Sequence, residues 1–300
     1  MADDSKPVNS IGDFIFQVSA RAKKWRKSWE KKREKHGTTA IAWLPWFRGE
    51  PSVKVDFPLT PKLYRRKISD RDTLNVVLEC EGELRNEFER CASQLITEGR
   101  EPRGKWERYF LMQHFSAPTR LLDWTDGALM ALHFALKDRG ALDDRFKGNP
   151  VVYMLDPWSL NRKAFKYLVL ADKSERPVGV ALPDWDEAKP YLKNEFDNEE
   201  LGELCPLAID PSQISRRIAA QRSHFTIFAR KPHGLREAVG DNNGSILHCI
   251  EVDRKYIPSL KKDLKVCGTS ESSAFPDLEG LGRELDQTLH AYLKQRLEKR

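Results

Sequence analysis

The sequence predicts an α+β fold: a single compact domain with a small central mixed β-sheet flanked by helices, preceded by a basic amphipathic helix. Three observations carry this prediction. Short β-branched or alternating apolar runs, Val151–Leu155, His224–Phe228 and Ile246–Val252, alternate with stretches of helical period. No internal repeat or low-complexity linker divides the 300 residues, of which 40% are hydrophobic, enough to bury an ample core. No apolar run approaches the roughly 20 residues that a membrane helix needs.

Taken in order, the first element is the basic helix. Ser10 can cap it with Asp13 three residues on, and Phe14, Val18, Ala22, Trp25 and Trp29 repeat at helical spacing. Residues 21–35 hold nine Lys or Arg and two Glu, a balance of +7 in a chain of net charge +6, so the remainder is nearly neutral. The segment Ala40–Arg48 reads as extended, delivering Arg48, and residues 51–66 are Pro-interrupted and irregular. Asp72 is read as the cap of a helix running to about Gly99, with Leu74, Val77, Leu78, Leu84, Phe88, Cys91 and Leu95 on one side and Glu79, Glu83 and Glu87 on the other. A short helix at Lys105–Phe115 follows, then an extended Leu121–Trp124. Ala128–Leu136 is apolar nearly all round and reads as a buried helix. After Val151–Leu155 comes an Asp156-Pro157 turn signal, and residues 172–200 read as a polar excursion with short helices. Arg216–Ala220 precedes the strand at His224–Phe228, Asp241-Asn242-Asn243-Gly244 bounds the strand at Ile246–Val252, and helices at Pro258–Val266 and Asp277–Leu297 close the series.

Composition excludes several chemistries. Cys80, Cys91, Cys205, Cys249 and Cys267 are odd in number and scattered, which fits reduced thiols and not a disulfide frame or zinc site. The seven histidines form no HExxH or H-x₃₋₅-H pair, so no metal site is expected. No GxGxxG follows a strand, and neither GxxxxGK[ST] nor GxSxG occurs. The opening Met-Ala-Asp-Asp-Ser-Lys lacks the layout of a secretion signal, and a cytoplasmic location is expected.

Two segments concentrate polar groups among aromatics. In Trp43-Leu44-Pro45-Trp46-Phe47-Arg48-Gly49, Arg48 offers a five-donor fork suited to phosphate or carboxylate, and Gly49 has no Cβ to keep a ligand from the main chain. The second is Gln113-His114-Phe115-Ser116-Ala117-Pro118-Thr119-Arg120-Leu121-Leu122-Asp123-Trp124-Thr125. Each residue also has a structural reading. Arg48 can pair with Asp123, His114 can donate to a carbonyl, and Asp123 and Thr125 can cap the following helix. Arg120 is either a partner of Asp123 or a phosphate contact, Glu83 and Glu87 fit a solvated helix face, and His133 fits a satisfied core position.

These segments, with Ala128, Ala131, Phe134-Ala135, Arg217-Ile218-Ala219-Ala220-Gln221 and Phe275-Pro276-Asp277-Leu278-Glu279-Gly280-Leu281, resemble the FRG domain over roughly residues 40–285. On that resemblance the chain divides into a basic helix at 1–36 and an FRG domain at 37–300. The order of parts is also loosely similar to the ADP-ribosyltransferase fold. That likeness implies NAD as cofactor, with Arg48 gripping a phosphate or ribose and the Gly49 main chain pairing with the carboxamide. Asp123, Trp124 and Thr125 would form a second motif, with Trp124 stacking on a ring. Gln221 stands where that family places its catalytic glutamate, so either the carboxylate needed near an oxocarbenium-like centre comes from Asp123, Glu83 or Glu87, or the site binds without efficient transfer.

Two readings from different classes stay open. In one, the chain is an NAD- or nucleotide-using enzyme of ADP-ribosyltransferase or NAD glycohydrolase type, a toxin or phage-defence effector, with Arg48, Gln221, Asp123 and His114 in catalysis and Arg48, Gly49, Trp124, Thr125 and Arg120 holding the cofactor. In the other, it is a non-catalytic module whose Lys23, Lys24, Arg26 and Lys27 contact nucleic acid or an acidic partner, the pocket serving as a ligand sensor.

Overall fold

The structure is a computed structural model describing residues 6–36, 43–92, 94–96, 102, 104–138, 146–168, 188–192, 204–211, 219–240 and 244–297. Its centre is one six-stranded sheet in the order β4-β5-β2-β1-β3-β6. The strands are β1 (Trp46–Glu50), β2 (Leu121–Thr125), β3 (Val151–Leu155), β4 (Leu207–Ile209), β5 (Ser223–Ile227) and β6 (Leu247–Glu251). Every pairing between them is antiparallel, which corrects the expected mixed sheet. The parallel element is a single bridge from Val8 to Val252.

Helices cover both faces, because both sides of the strands are apolar. On one face Trp46, Leu122, Trp124, Val151, Tyr153, Leu155 and Leu247 meet Leu59, Leu63 and Tyr64 of the irregular 51–66 segment. The same face is covered by α2 (Arg71–Ala92) and α7 (Leu235–Val239). On the opposite face lie α1 (Ile11–His36), α3 (Lys105–His114), α4 (Ala128–Leu136), α5 (Pro157–Leu168), α6 (Lys189–Leu192) and α8 (Ile257–Val266), with α5 also sending Leu160 to the first face. Two further helices, α9 (Glu271–Ala274) and α10 (Leu278–Leu297), follow.

The apolar stripe of α1 is spent inside the molecule. Ser10 Oγ accepts from the Asp13 amide, and Phe14, Val18 and Trp25 are buried. Trp25 stands edge-on to Trp43 and donates Nε1–H to the Gly244 carbonyl, while Trp29 stands edge-on to Trp158. Burying one such side chain contributes about 1.5–3 kcal/mol, whereas a like-charged i,i+4 pair costs only about 0.2–0.5 kcal/mol. Packing therefore outweighs the crowded positive charge on the outer side.

Several boundaries move for identifiable reasons. Asp70, not Asp72, caps α2, its Oδ1 accepting from the Thr73 amide. The buried stripe of α2 runs Leu74, Val77, Leu78, Glu81, Ala92, and Leu84 and Cys91 face solvent. The Asp156-Pro157 signal is the entry to α5: Asp156 accepts from the Trp158 and Ser159 amides and from Trp43 Nε1. The strand β4 was not anticipated. Residues 40–42 and 216–218, and most of 172–200, lie outside the described residues.

Candidate ligand cleft

A cleft of about 560 Å³ opens on the sheet face that carries α4. Strand alternation supplies its floor: Phe47 and Gly49 from β1, Leu121, Asp123 and Thr125 from β2, Ser223 and Phe225 from β5. Gln113 and His114 at the end of α3 form one wall. Phe134 and Lys137 at the end of α4, with Phe275, form the other, and Lys62 and Arg65 stand at the rim.

Arg48 sits at the seam between β1 and β2. Alternation puts it on the face of Trp46 and Glu50, yet it reaches β2 because the registered pairing of the two strands is the single pair Phe47 with Thr125. Beyond that pair the guanidinium takes over: one terminal nitrogen donates to the Asp123 carbonyl at 3.0 Å and stands 3.9 Å from Asp123 Oδ2. Its Nε donates to Glu50 Oε1 at 3.0 Å, which also accepts from the Leu59 amide. Glu50 is 5% exposed, and its Oε2 has no hydrogen-bond partner among the described residues. Asp123 is the exposed carboxylate beside this cation, and Gln113 Nε2 donates to its Oδ2 at 2.7 Å. Gln113 is itself held by the Thr119 hydroxyl, which donates to its Oε1.

The cleft is cationic. Arg48, Lys62, Arg65 and Lys137 line it against the carboxylates of Asp123 and Asp138. Burial and the neighbouring Arg48 hold the Arg65 guanidinium below its ordinary range, opposed by Glu50 and Asp123. Two guanidiniums that repel each other across a concave surface are relieved by a bound anion.

The geometry brings Arg48, Gly49, Gln113, His114, Asp123, Thr125 and Gln221 together at this cleft and corrects two expected roles. Arg120 is fully buried and does not line it. Its guanidinium pairs with Glu81 at 2.8 Å and donates to the Phe228 and Tyr191 carbonyls, so its partner is neither Asp123 nor a phosphate. Trp124 borders the cleft, but its indole is 2% exposed on the opposite face and donates to Thr226 Oγ1, so it stacks on no ligand there. The aromatic wall is instead Phe134 with Phe275, edge-on at 5.9 Å, and Phe275 carries Lys137 and Arg283 over its ring. Gly49 has a structural task as well. A Cβ there would lie 2.0 Å from the Ala131 carbonyl oxygen and 2.5 Å from the Ala135 nitrogen, so its missing side chain admits α4 onto β1.

The remaining placements are plain. Thr125 Oγ1 accepts from the Gly127 amide at the entry of α4. Gln221 Nε2 donates to the Ala274 carbonyl, leaving Oε1 for another partner. Glu83 and Glu87 are exposed, Glu87 pairing with Arg90, and neither lines the cleft; of the three proposed carboxylates only Asp123 does. His133 is half-buried and meets Glu271 at 3.2 Å. Lys62, Arg65 and Lys137 were missed because they sit in irregular or apolar segments without a pattern. Glu50 had a signal: it lies two residues from Arg48 on a strand and so shares its face.

Residues 44–144 match the family model of the FRG domain. That span, about a third of the chain, is similar to the FRG domain. The match includes β1 through α4, so the matched span supplies Arg48, Gly49, Gln113, His114 and Asp123, while Gln221 and Phe275 come from outside it. No curated protein and no solved structure matches the chain. Among the described residues no helix is long and apolar enough to cross a membrane, and no cluster of His, Cys, Asp or Glu could hold a metal ion.

A second charged arrangement lies on the other face, joining Trp46 and Asp126 of the matched span to Asp210, Arg222 and His224 beyond it. His224 stacks on Trp46 with ring centroids 4.5 Å apart, Asp210 bonds its Nδ1, and Asp126, held by Arg222, lies 3.8 Å from Nε2. Burial pulls the imidazole pKa down, but the two carboxylates outweigh it and raise it above 6.5. A raised folded pKa stabilises fully below the unfolded value and fades as pH climbs through the folded one. His224→Gln should therefore lower the melting temperature more at pH 6 than at pH 9. Equal losses at both pH values in thermal unfolding would refute the coupling.

Proposed function

We propose that the cleft binds NAD or a closely related nucleotide and that the protein is a cytoplasmic enzyme of ADP-ribosyltransferase or NAD glycohydrolase type, acting as a toxin or phage-defence effector. The observation that carries this reading is Arg48, set in the β1–β2 seam beside an exposed Asp123 and facing a cationic cleft. The volume lies within the range of small-molecule sites, and the cations suit a pyrophosphate.

On this reading Arg48, with Arg65 and Lys62, holds the phosphates. Asp123 stabilises positive charge developing at the ribose, and Gln113 fixes the orientation of its carboxylate. The bond from ribose to nicotinamide breaks with its electron pair leaving on nicotinamide. The acceptor oxygen or nitrogen bonds to the same carbon, and its proton passes to Asp123. Gln221 Oε1 accepts from a ribose hydroxyl, a neutral stand-in for the glutamate of the wider fold.

Incubation of the purified protein with labelled NAD and a cell extract should release nicotinamide. Arg48→Ala and Asp123→Asn should each reduce the rate about 100-fold or more while retaining the circular dichroism of the parent protein. No release from the parent, or full release from Arg48→Ala, would overturn the reading.

A second reading rests on a separate surface. Lys23, Lys24, Arg26 and Lys27 are all exposed on α1, and a hollow of about 340 Å³ beside it is lined by Arg21, Lys24 and Arg162. Here the protein is a binding module for nucleic acid. Neutralising those four side chains would weaken oligonucleotide binding about tenfold or more at low salt and flatten its salt dependence. Affinity unmoved by salt would exclude it.

A further inference from the structure

The first two turns of α10 are anchored. Glu284 accepts from the Ser272 amide and the Ser270 hydroxyl, Arg283 pairs with Glu271, and Gly280 lies against Phe275, where a Cβ would meet the carbonyl oxygen at 2.0 Å. Beyond Glu284 every described side chain is exposed through Leu297. Leu281, Leu285, Leu289, Tyr292 and Leu293 nevertheless form one apolar stripe at helical spacing, Leu285 being 61% and Leu289 53% exposed. A helix of about 30 Å whose described outer side chains are all exposed is marginal in water alone, and such a stripe on a solvated helix marks a contact surface.

Charge selects the occupant. Residues 278–287 carry Glu279, Arg283, Glu284 and Asp286, a net −2, while residues 288–297 carry Lys294 and Arg296, a net +2. A helix acidic in its first half and basic in its second complements itself when two copies run antiparallel, and repels itself when they run parallel. Setting Leu285 of one copy opposite Leu289 of the other also sets Leu281 opposite Leu293 and brings Glu279 alongside Lys294 and Arg296. Both partners then use one patch, as a two-fold dimer requires.

We propose that this protein forms a symmetric dimer through antiparallel pairing of α10. The contact involves one helix per copy, so the dimer is concentration-dependent.

The full-length protein should move in light scattering from its monomer mass of 34.6 kDa to twice that value as concentration rises. The double variant Leu285→Glu/Leu289→Glu should stay monomeric at every concentration with an unchanged melting temperature, since both side chains are already exposed. Glu279→Lys/Asp286→Lys should weaken the dimer about tenfold, and adding Lys294→Glu/Arg296→Glu should restore it. A parent protein that stays monomeric overturns the proposal, as does a Leu285→Glu/Leu289→Glu variant that still dimerises. Failure of the fourfold charge exchange to restore the dimer overturns the antiparallel arrangement.

Discussion

Glu81→Ala is expected to cost about 3–5 kcal/mol of folding stability, close to the whole margin of many domains. Glu81 and Arg120 are both fully buried, and their ion pair is 2.8 Å long. Burial works to lower the Arg120 pKa, and Glu81, with Tyr109 and Tyr64 behind it, raises it above its ordinary value. With Glu81 gone the guanidinium still keeps its charge, because arginine is too basic to lose its proton in a protein. The Tyr109 hydroxyl donates to Glu81 and accepts from the Arg120 amide, at the residue that leads into β2. Removing the carboxylate strips a fully buried charge of its 2.8 Å counterion, with the Phe228 and Tyr191 carbonyls among the acceptors that stay. The double variant Glu81→Leu/Arg120→Met removes that charge and should recover part of the loss. It should not recover all, because the Phe228 and Tyr191 carbonyls lose their donors. Urea unfolding of the three variants checks this. A Glu81→Ala midpoint near that of the parent protein would show that the pair contributes nothing.

That pair also shows where reading the sequence stops. Ala128–Leu136 and Val151–Leu155 were legible to the residue, because each is a nearly continuous apolar run, broken only by His133 in the first, and the first is too long for an ordinary strand. The inward face of α1 was legible from its regular aromatic spacing. Arg120 was visible only as one polar residue in a polar motif, since its partner lies 39 positions earlier on a helix rich in glutamates. Glu79, Glu83 and Glu87 occupy the wet side of α2, whereas Glu81 follows Val77 and Leu78 at helical spacing. An acid inside an apolar stripe is the one mark that could have flagged it. The cleft was legible as chemistry but not as geometry. Arg48 and Asp123 stood out by type, while the seam that joins them depends on how far two strands pair.

Gly49→Ala carries the other large effect, and it separates two explanations of the same motif. If the glycine served only to let a ligand near the main chain, an alanine would leave the empty protein as stable as before and weaken binding alone. The packing argues otherwise: the added carbon would meet the backbone of α4 at Ala131 and Ala135, not the end of a flexible side chain. Neither contact is relieved by a rotamer change, so α4 must move off the sheet or β1 must shift, carrying Arg48 with it. Overpacking typically costs about 1–3 kcal/mol, and rigid backbone on both sides places this site at about 3 kcal/mol or more. Compensation should come from the helix side only by shifting α4, since Ala131 and Ala135 are already small and offer main-chain atoms to the clash. Thermal unfolding of the ligand-free variant distinguishes the explanations directly. A melting temperature equal to that of the parent would return Gly49 to the ligand, whereas a drop of several degrees would identify it as the point where helix and strand close together to aim Arg48.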